Sequence, residues 1–452
     1  MSERRIAVVG GGLAGLSAAI ACGDAGARVT LFEARTRLGG ATWSSERDGL
    51  WIDNGQHVFL RCCESYIAFL RRLGAFELVT LQQKLDIPVL MPGRRALRLR
   101  CGALPAPLHL AGSLLRYTHV SLLDRARIAR AALALRALDP DDPKLDARSF
   151  GDWLRERGQS EAAIERFWDL FTRATINLRP QDASLALAAM VFQVGLLRDA
   201  RAGEIGISKV PLTQLHEQPA RRALAELGAE LRLREPVDGV ECGPRGELSL
   251  RARGGAHAFD AVIVATPHDV AAQILPDAAK VDRAALRALG VSPIVNLHIV
   301  YDRVVMREPF AAGVATPMQW IFDRTAAAGV KRGQCLTVSL SVADAYVGSS
   351  REKLRAEFEP ALQQLFPAAR DARILEFFVT CERAATFRAA PGTAALRPKA
   401  QTGVRGIALA GAWTDTGWPA TMEGAVRSGN RAARIALQAV GVSDRIPEAA
   451  AA

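Results

Sequence analysis

Two periods of apolar residues run along this chain, and the switches between them predict its elements. Residues 6–9 are wholly apolar, as suits a strand buried on both faces, and residues 13–22 follow as a helix. Residues 29–32 form a second buried strand. Residues 62–74 read as an amphipathic helix stopped by Gly74. Pro88, Pro92 and Gly93 break the next stretch into short extended pieces, one of them residues 96–100. Leu, Ala and Arg then recur at helical spacing over 108–138, up to the loop Asp139-Pro-Asp-Asp-Pro143. Helices are predicted over 150–157, 161–175, 184–197 and 210–227. Strands follow at 230–233 and 237–241, then a hairpin turning at 243–246 with strands 247–253 and 256–259. Residues 260–265 form another buried strand. From 291 to 388 the pattern alternates in strand fashion, interrupted by one helix at 352–365. This predicts a mostly antiparallel sheet under the helices of residues 85–205. A last strand runs over 406–411, a helix opens at 421–425, and the alanine-rich end, 441–452, is expected to be disordered.

The first switch of period carries chemistry. Gly10, Gly12 and Gly15 have the G-x-G-x-x-G spacing between a strand and a helix, and Glu33 closes the second strand 18 positions past Gly15. One glycine serves the tight turn, one the close approach of a pyrophosphate and one the helix–strand packing. The helix N-terminus, at Leu13 and Ala14, offers N–H groups and a positive dipole end. An acid about 20 residues on is expected at a ribose hydroxyl. The motif therefore predicts a dinucleotide site. Beyond it, Ala34-Arg35-Thr-Arg37-Leu-Gly39-Gly40-Ala41-Thr42 suits a loop bending back over a diphosphate.

Composition narrows the partners. A length of 452 residues predicts two or three domains, and a net charge of +11 calls for a reason. The arginines are scattered, except for the denser stretch Arg94 to Arg100, and no aromatic-interleaved basic block points to nucleic acid. An anionic membrane face is the better match, with the Arg94 to Arg100 stretch either its edge or a solvated strand; an Ala- and Arg-rich genomic bias is the bland alternative. Seven cysteines without a C-x-x-C pair predict neither a zinc site nor disulfides, and hence a reducing cytoplasm. Arg4-Arg5 before an apolar stretch imitates a signal peptide, but the glycine spacing explains it better. The longest other apolar run, 183–197, contains Gln193 and is shorter than the ~18 residues of a membrane helix. The chain is thus expected to be cytoplasmic, with peripheral contact to the inner membrane face.

Taken together, Gly10 to Glu33, Glu33-Ala-Arg-x-Arg-x-Gly-Gly40 and Asp53-x-Gly55-x-His57 resemble the flavin amine oxidase and phytoene desaturase superfamily. The resemblance implies a discontinuous, glutathione-reductase-like Rossmann domain binding FAD, with an α+β substrate domain of antiparallel sheet and helices. The division implied is 1–84, 206–275 and 396–440 for FAD against 85–205 and 276–395 for substrate. It further implies that Gly39 and Gly40 touch the flavin side of the cofactor and that Val237 pairs its backbone with the adenine. Gly411, Asp415, Thr421, Met422 and Ala425 match the C-terminal flavin motif, with Asp415 near the ribityl and pyrophosphate. Gly55, Gln56 and His57 would also line the cofactor. Ala41 departs from the pattern, since many members have arginine there, and Arg35 or Arg37 are the substitutes. The string Trp413-Thr-Asp-Thr-Gly-Trp-Pro419, with Asp53-Asn-Gly-Gln-His57, is similar to squalene-associated flavoproteins, the hydroxysqualene dehydroxylases.

That resemblance implies hydride transfer from reduced FAD onto a long apolar isoprenoid, with loss of an allylic hydroxyl and an electron donor not legible here. Asp53 and His57 are the candidate acids, an ionised His57 suiting the role near neutral pH, although His57 could equally bond backbone or cofactor. Trp413 and Trp418 are expected near the cofactor. His268, His298 and the Cys62-Cys63 pair are expected to be structural. Amine oxidases commonly carry a tyrosine where this chain has Thr421, which argues against an amine substrate. A carotenoid-type desaturase and a flavin-free prenyl-binding escort are the other readings, the latter disfavoured by the intact Glu33 and Asp415 to Ala425.

Overall fold

The computed structural model describes residues 4–443, so the predicted disordered tail falls outside the described residues from 444 onward. Its first layer is a five-stranded parallel sheet in the order Glu230–Leu233, Arg28–Glu33, Arg5–Val9, Ala261–Val264 and Ile407–Leu409. Ile6, Val8, Leu31, Ile263 and Ala408 are buried on one side, and Ala7, Val9, Phe32, Val262 and Leu409 on the other. Burial on both faces explains the unbroken apolar runs. Three distant parts of the chain thus meet at one sheet, whose strand ends converge on the glycine turn. Helices Leu13–Asp24 and Met422–Ala439 cover one face. A three-stranded antiparallel sheet, Val237–Cys242, Leu248–Ala252 and Gly255–Phe259, covers the other.

The second layer is a seven-stranded sheet in the order Ile374–Phe387, Val291–Tyr301, Gln334–Ser341, Trp320–Asp323, Phe310–Gly313, Asp86–Leu90 and Leu97–Arg100. It is antiparallel except where Phe310–Gly313 meets Asp86–Leu90, so two strands from before the helical segment complete the predicted floor. In Val291–Tyr301 the pleat sends Val295, Leu297, Ile299 and Tyr301 into a core shared with helix Arg351–Leu365. Asn296 and His298 therefore point to the opposite face, toward residues 53–57. The helices of 143–197 pack on the sheet through Phe150, Trp153, Trp168 and Phe192, with Phe310 and Phe322 of the sheet in the same core. Three of the predicted helices contain a wider π turn, at Ile164–Trp168, Gln193–Leu197 and Thr213–Glu217. Among the described residues no helix is long and apolar enough to cross a membrane.

His216 and His298 are wholly enclosed. Burial pushes the His216 imidazole down to about 3 and that of His298 to about 4. Their Nε2 atoms meet Tyr66 Oη at 2.7 Å and Thr380 Oγ1 at 3.1 Å. An unfolded chain binds these protons from about pH 6.5 downward, while the folded one resists, so stability falls as pH falls through that window. Each histidine should cost about 2 kcal/mol at about pH 5 relative to neutral pH. Urea midpoints measured at both pH values check this, and equal midpoints would show that neither histidine is held neutral.

Candidate active site

The glycine turn is built for close backbone approach. Gly10 has φ +109°, its N–H donates to the Phe32 carbonyl at 2.8 Å, and a Cβ there would lie 2.6 Å from the Ala265 carbonyl oxygen. A Cβ on Gly15 would lie 1.8 Å from the Gly10 oxygen, so only glycine lets the helix sit this near the strand end. The helix starts after Gly12 with no side-chain cap and no acid in its first turn, which leaves the N–H groups at Leu13 and Ala14 open to an anion. Gly39 and Gly40 press onto this turn. The Gly39 N–H donates to the Gly11 carbonyl at 2.9 Å, and a Cβ on Gly40 would lie 2.7 Å from Gly12 Cα. Thr42 Oγ1 donates to the Gly39 carbonyl at 2.9 Å, holding the loop.

The carboxylate of Glu33 closes the turn, accepting from the Gly11 N–H at 2.7 Å and the Arg35 N–H at 2.8 Å. Of the two arginines proposed to stand in at Ala41, Arg37 reaches the loop: Nη1 donates to the Gly40 carbonyl at 3.2 Å, and its guanidinium lies 3.9 Å from the Trp43 ring centre. The side chains of Ala34, Arg35 and Ala41 are exposed. Partial burial, then the charge of Arg35, lowers the Arg37 pKa from its usual value. Val237 is buried beside this corner, where the Glu235 N–H donates to the Glu33 carbonyl at 3.0 Å.

Residues 53–57 form the second part. Asp53 is buried, and both of its oxygens are engaged. Ser44 Oγ donates to Oδ1 at 2.6 Å and the Leu212 N–H at 3.1 Å, while Nη2 of the buried Arg324 donates to Oδ2 at 2.9 Å. Asp53 thus joins three chain segments, and both of its oxygens are already taken by these donors. Asn54 donates to the Ala41 carbonyl at 2.8 Å and to Glu382 Oε1 at 3.1 Å, and accepts from the Trp43 N–H at 3.1 Å. Asn296 accepts from the Gln56 N–H at 3.3 Å and stands 3.2 Å from where a Gly55 Cβ would be.

His57 Nδ1 meets the Gly55 carbonyl at 3.0 Å. A carbonyl only accepts, so the neutral ring carries its proton on Nδ1 and leaves Nε2 as an acceptor. Burial lowers the His57 pKa, and the Gly55 carbonyl with the charges of Asp53 and Glu382 offsets this only in part. The net shift disfavours the charged ring relative to a free imidazole, and the contact with the Gly55 carbonyl matches the backbone-bonding role that the sequence also offered.

The C-terminal segment supplies the third part. Gly411 has φ +142° and packs under Trp413, whose Nε1 donates to the Thr266 carbonyl at 3.0 Å. Trp418 lies outside this packing, with the Arg427 guanidinium 4.9 Å from its ring centre. The Asp415 carboxylate is exposed; its N–H donates to the Pro398 carbonyl at 2.8 Å and its carbonyl accepts from Arg431 Nη1 at 2.6 Å. Thr421 caps helix Met422–Ala439, its Oγ1 accepting from the Gly424 N–H at 3.1 Å. Met422 is buried and Ala425 half-buried. The helix crosses Leu13–Asp24 at Gly429, where a Cβ would lie 2.2 Å from the Ala14 carbonyl oxygen. The glycine turn and the C-terminal motif are thus locked together.

These residues fit a dinucleotide cofactor on the structure's own terms. Converging glycines leave no room for side chains, the first helix end is uncapped, and Gln56 Oε1 and Thr266 Oγ1 are buried without a partner. Sequence reasoning missed Arg324, Asn296, Glu382 and Arg397. Arg324, Asn296 and Glu382 lie 240 to 328 positions from the residues they meet around 53–57, and Arg397 meets the turn after Gly411 from 15–19 positions before it. An asparagine and a histidine on one face of an otherwise apolar strand was the only signal, and it pointed to Asn296. Buried Arg397 donates to the carbonyls of Ala412 at 3.2 Å and Trp413 at 3.4 Å, and to Thr416 Oγ1 at 3.2 Å.

Comparison with known proteins agrees with this geometry. The flavin containing amine oxidoreductase family matches residues 13–437. Over 450 residues the chain is 30% identical to the hydroxysqualene dehydroxylase of Rhodopseudomonas palustris, covering 97% of this chain and 99% of that protein. It is 26% identical over 487 residues to a probable zeta-carotene desaturase of Synechococcus elongatus, covering 97% and 100%. Among solved structures, a redesigned putrescine oxidase is similar with a TM-score of 0.72 at 19% identity, covering 97% of this chain and 99% of that one, a likeness of fold.

Proposed function

The chain belongs to the flavin-containing amine oxidoreductase family, and from that premise we propose that it removes the hydroxyl of hydroxysqualene to give squalene and water. It is an FAD-dependent oxidoreductase. The observation that carries the substrate is 30% identity to a hydroxysqualene dehydroxylase across nearly the whole of both chains. The tyrosines argue in the same direction. Tyr66, Tyr117 and Tyr301 are buried, and Tyr346 donates to Glu357 at 2.8 Å. None is left to form an aromatic cage for an amine beside Thr421.

We assign FAD to the segments 1–84, 206–275 and 396–440. The backbone at Gly10 to Gly15 holds its pyrophosphate, Glu33 its ribose, and Gly39, Gly40 and Thr42 the loop over it; Val237 meets the adenine, and Asp415 with the Thr421 to Ala425 helix opening holds the flavin end. When bound and reduced, FAD would supply the hydride that takes the hydroxyl's place, the departing hydroxide would take a proton from solvent to leave as water, and an external donor would return two electrons each cycle. In this reading neutral His57 presents Nε2 as the acceptor that orients the substrate hydroxyl. Residues 85–205 and 276–395 hold the isoprenoid.

The test is an anaerobic assay of flavin-loaded, chemically reduced protein given hydroxysqualene, with products identified by mass. Squalene formed as the flavin reoxidises supports the proposal. Inert reduced flavin, with oxidised flavin desaturating an isoprenoid, would transfer the chain to the chemistry named for its desaturase relative. His57→Gln should retain FAD and slow turnover by about tenfold, the scale of one lost hydrogen bond. With a neutral His57 the wild-type rate should stay level from about pH 7.5 to about pH 6. A rate rising as pH falls would return His57 to the role of ionised acid.

A further inference from the structure

Helix Leu122–Arg136 is apolar on both sides. Ile128, Ala131 and Leu135 face inward and are buried. Leu122, Ala126, Ala129 and Leu133, spaced to share the opposite face, point to water, with Leu122 68% and Leu133 54% exposed. A surface helix ordinarily carries polar residues there. Fraying does not explain the exposure, because Ser121 and Asp124 form a complete capping box at the helix start.

The apolar surface extends beyond this helix. Leu123 is 59% exposed and Leu115 is 66% exposed, and Arg125 Nη1 donates to the Leu115 carbonyl, tying the short helix Ala111–Leu115 alongside. Leu104 and Leu108 project from the preceding loop. Of the nine large hydrophobic residues exposed among the described residues, six fall between 104 and 133. That concentration exceeds the scatter of single apolar residues normal on a surface.

Charge accompanies it. Between residues 87 and 138 there are nine arginines and one acid, Asp124, which is buried as the cap. Arg98 and Arg100 are paired with Asp86, and Arg98 also with Glu308, so the strand Leu97–Arg100 is not the cationic edge the sequence offered. Arg94, Arg95, Arg116 and Arg130 are exposed. Their forked guanidinium groups suit phosphate oxygens.

We propose that the surface formed by residues 93–133 docks on an anionic lipid bilayer, its leucines entering the acyl boundary and its arginines meeting lipid phosphates. Exposed leucines beside uncompensated arginines are the combination an interfacial helix needs. A second copy of this chain would bring like-charged arginines together, so the charge favours lipid. The docking goes beyond the assigned reaction and can be read without turnover.

The experiment is co-sedimentation of FAD-loaded protein with vesicles of phosphatidylcholine alone or mixed with phosphatidylglycerol. The wild type should bind the mixed vesicles and release in high salt, where screening shortens to about 3 Å. Leu122→Gln with Leu123→Gln should weaken binding by about tenfold or more. Arg94→Gln with Arg95→Gln should weaken it by roughly fivefold per arginine. Flavin absorbance and thermal midpoint confirm folding of each variant, and the side chains replaced lie at the surface. Two results overturn the proposal: variants that sediment like the wild type, or leucine variants that only convert a concentration-dependent dimer into monomer in analytical ultracentrifugation.

Discussion

Asp53→Ala should destabilise the protein by about 3–5 kcal/mol, the scale of removing one partner from a buried ion pair. The change leaves the Arg324 guanidinium buried with only the Ser208 and Val210 carbonyls to accept from it. It also strips Ser44 Oγ and the Leu212 N–H of their shared acceptor. Since these groups tie the segment next to the flavin loop to the second sheet, FAD retention should fall with the urea midpoint. Replacing both members, Asp53→Leu with Arg324→Met, should recover much of the midpoint, because two apolar groups leave no buried charge. An Asp53→Ala protein of wild-type stability and full flavin content, impaired only in turnover, would refute the anchor and revive the acid.

Arg397→Ala should yield nearly colourless protein, with FAD affinity lower by about a hundredfold or more. Arg397 is what shapes the turn after Gly411, its fork collecting main-chain oxygens of residues 412–414 that a helix or sheet would otherwise satisfy. Its ring partner is Phe387, 4.8 Å from the guanidinium carbon. Burial lowers its pKa to about 10, with Asp415 and Asp146 opposing, so the group is still charged at neutral pH. Arg397→Lys keeps the charge but not the planar fork, and should fall between wild type and alanine. Flavin content by absorbance, with affinity by fluorescence titration, checks both. Equal flavin affinity in all three proteins would show that the turn holds its shape without the fork.

Local patterns carried the cofactor half of this protein. Gly10, Gly12, Gly15 and Glu33 lie within one strand–helix–strand unit, so their spacing alone implies how they meet. The parallel strands were equally legible, because burial on both faces leaves no polar position in Ile6 to Val9 or Ala261 to Val264. The motif around Asp415 and Thr421 was recognisable as a string, yet the string did not reveal that Gly429 presses its helix against Ala14. What surrounds residues 53–57 was decided by tertiary structure. Asp53 and His57 are close in sequence and seemed equivalent as acids, but Asp53 acquires Arg324 from 271 positions away and burial lowers the His57 pKa. Whether a carboxylate is an anchor or an acid, and whether an imidazole is charged, depends on which donors and how little water surround it. Those are properties of the assembled fold, and no spacing along the chain encodes them.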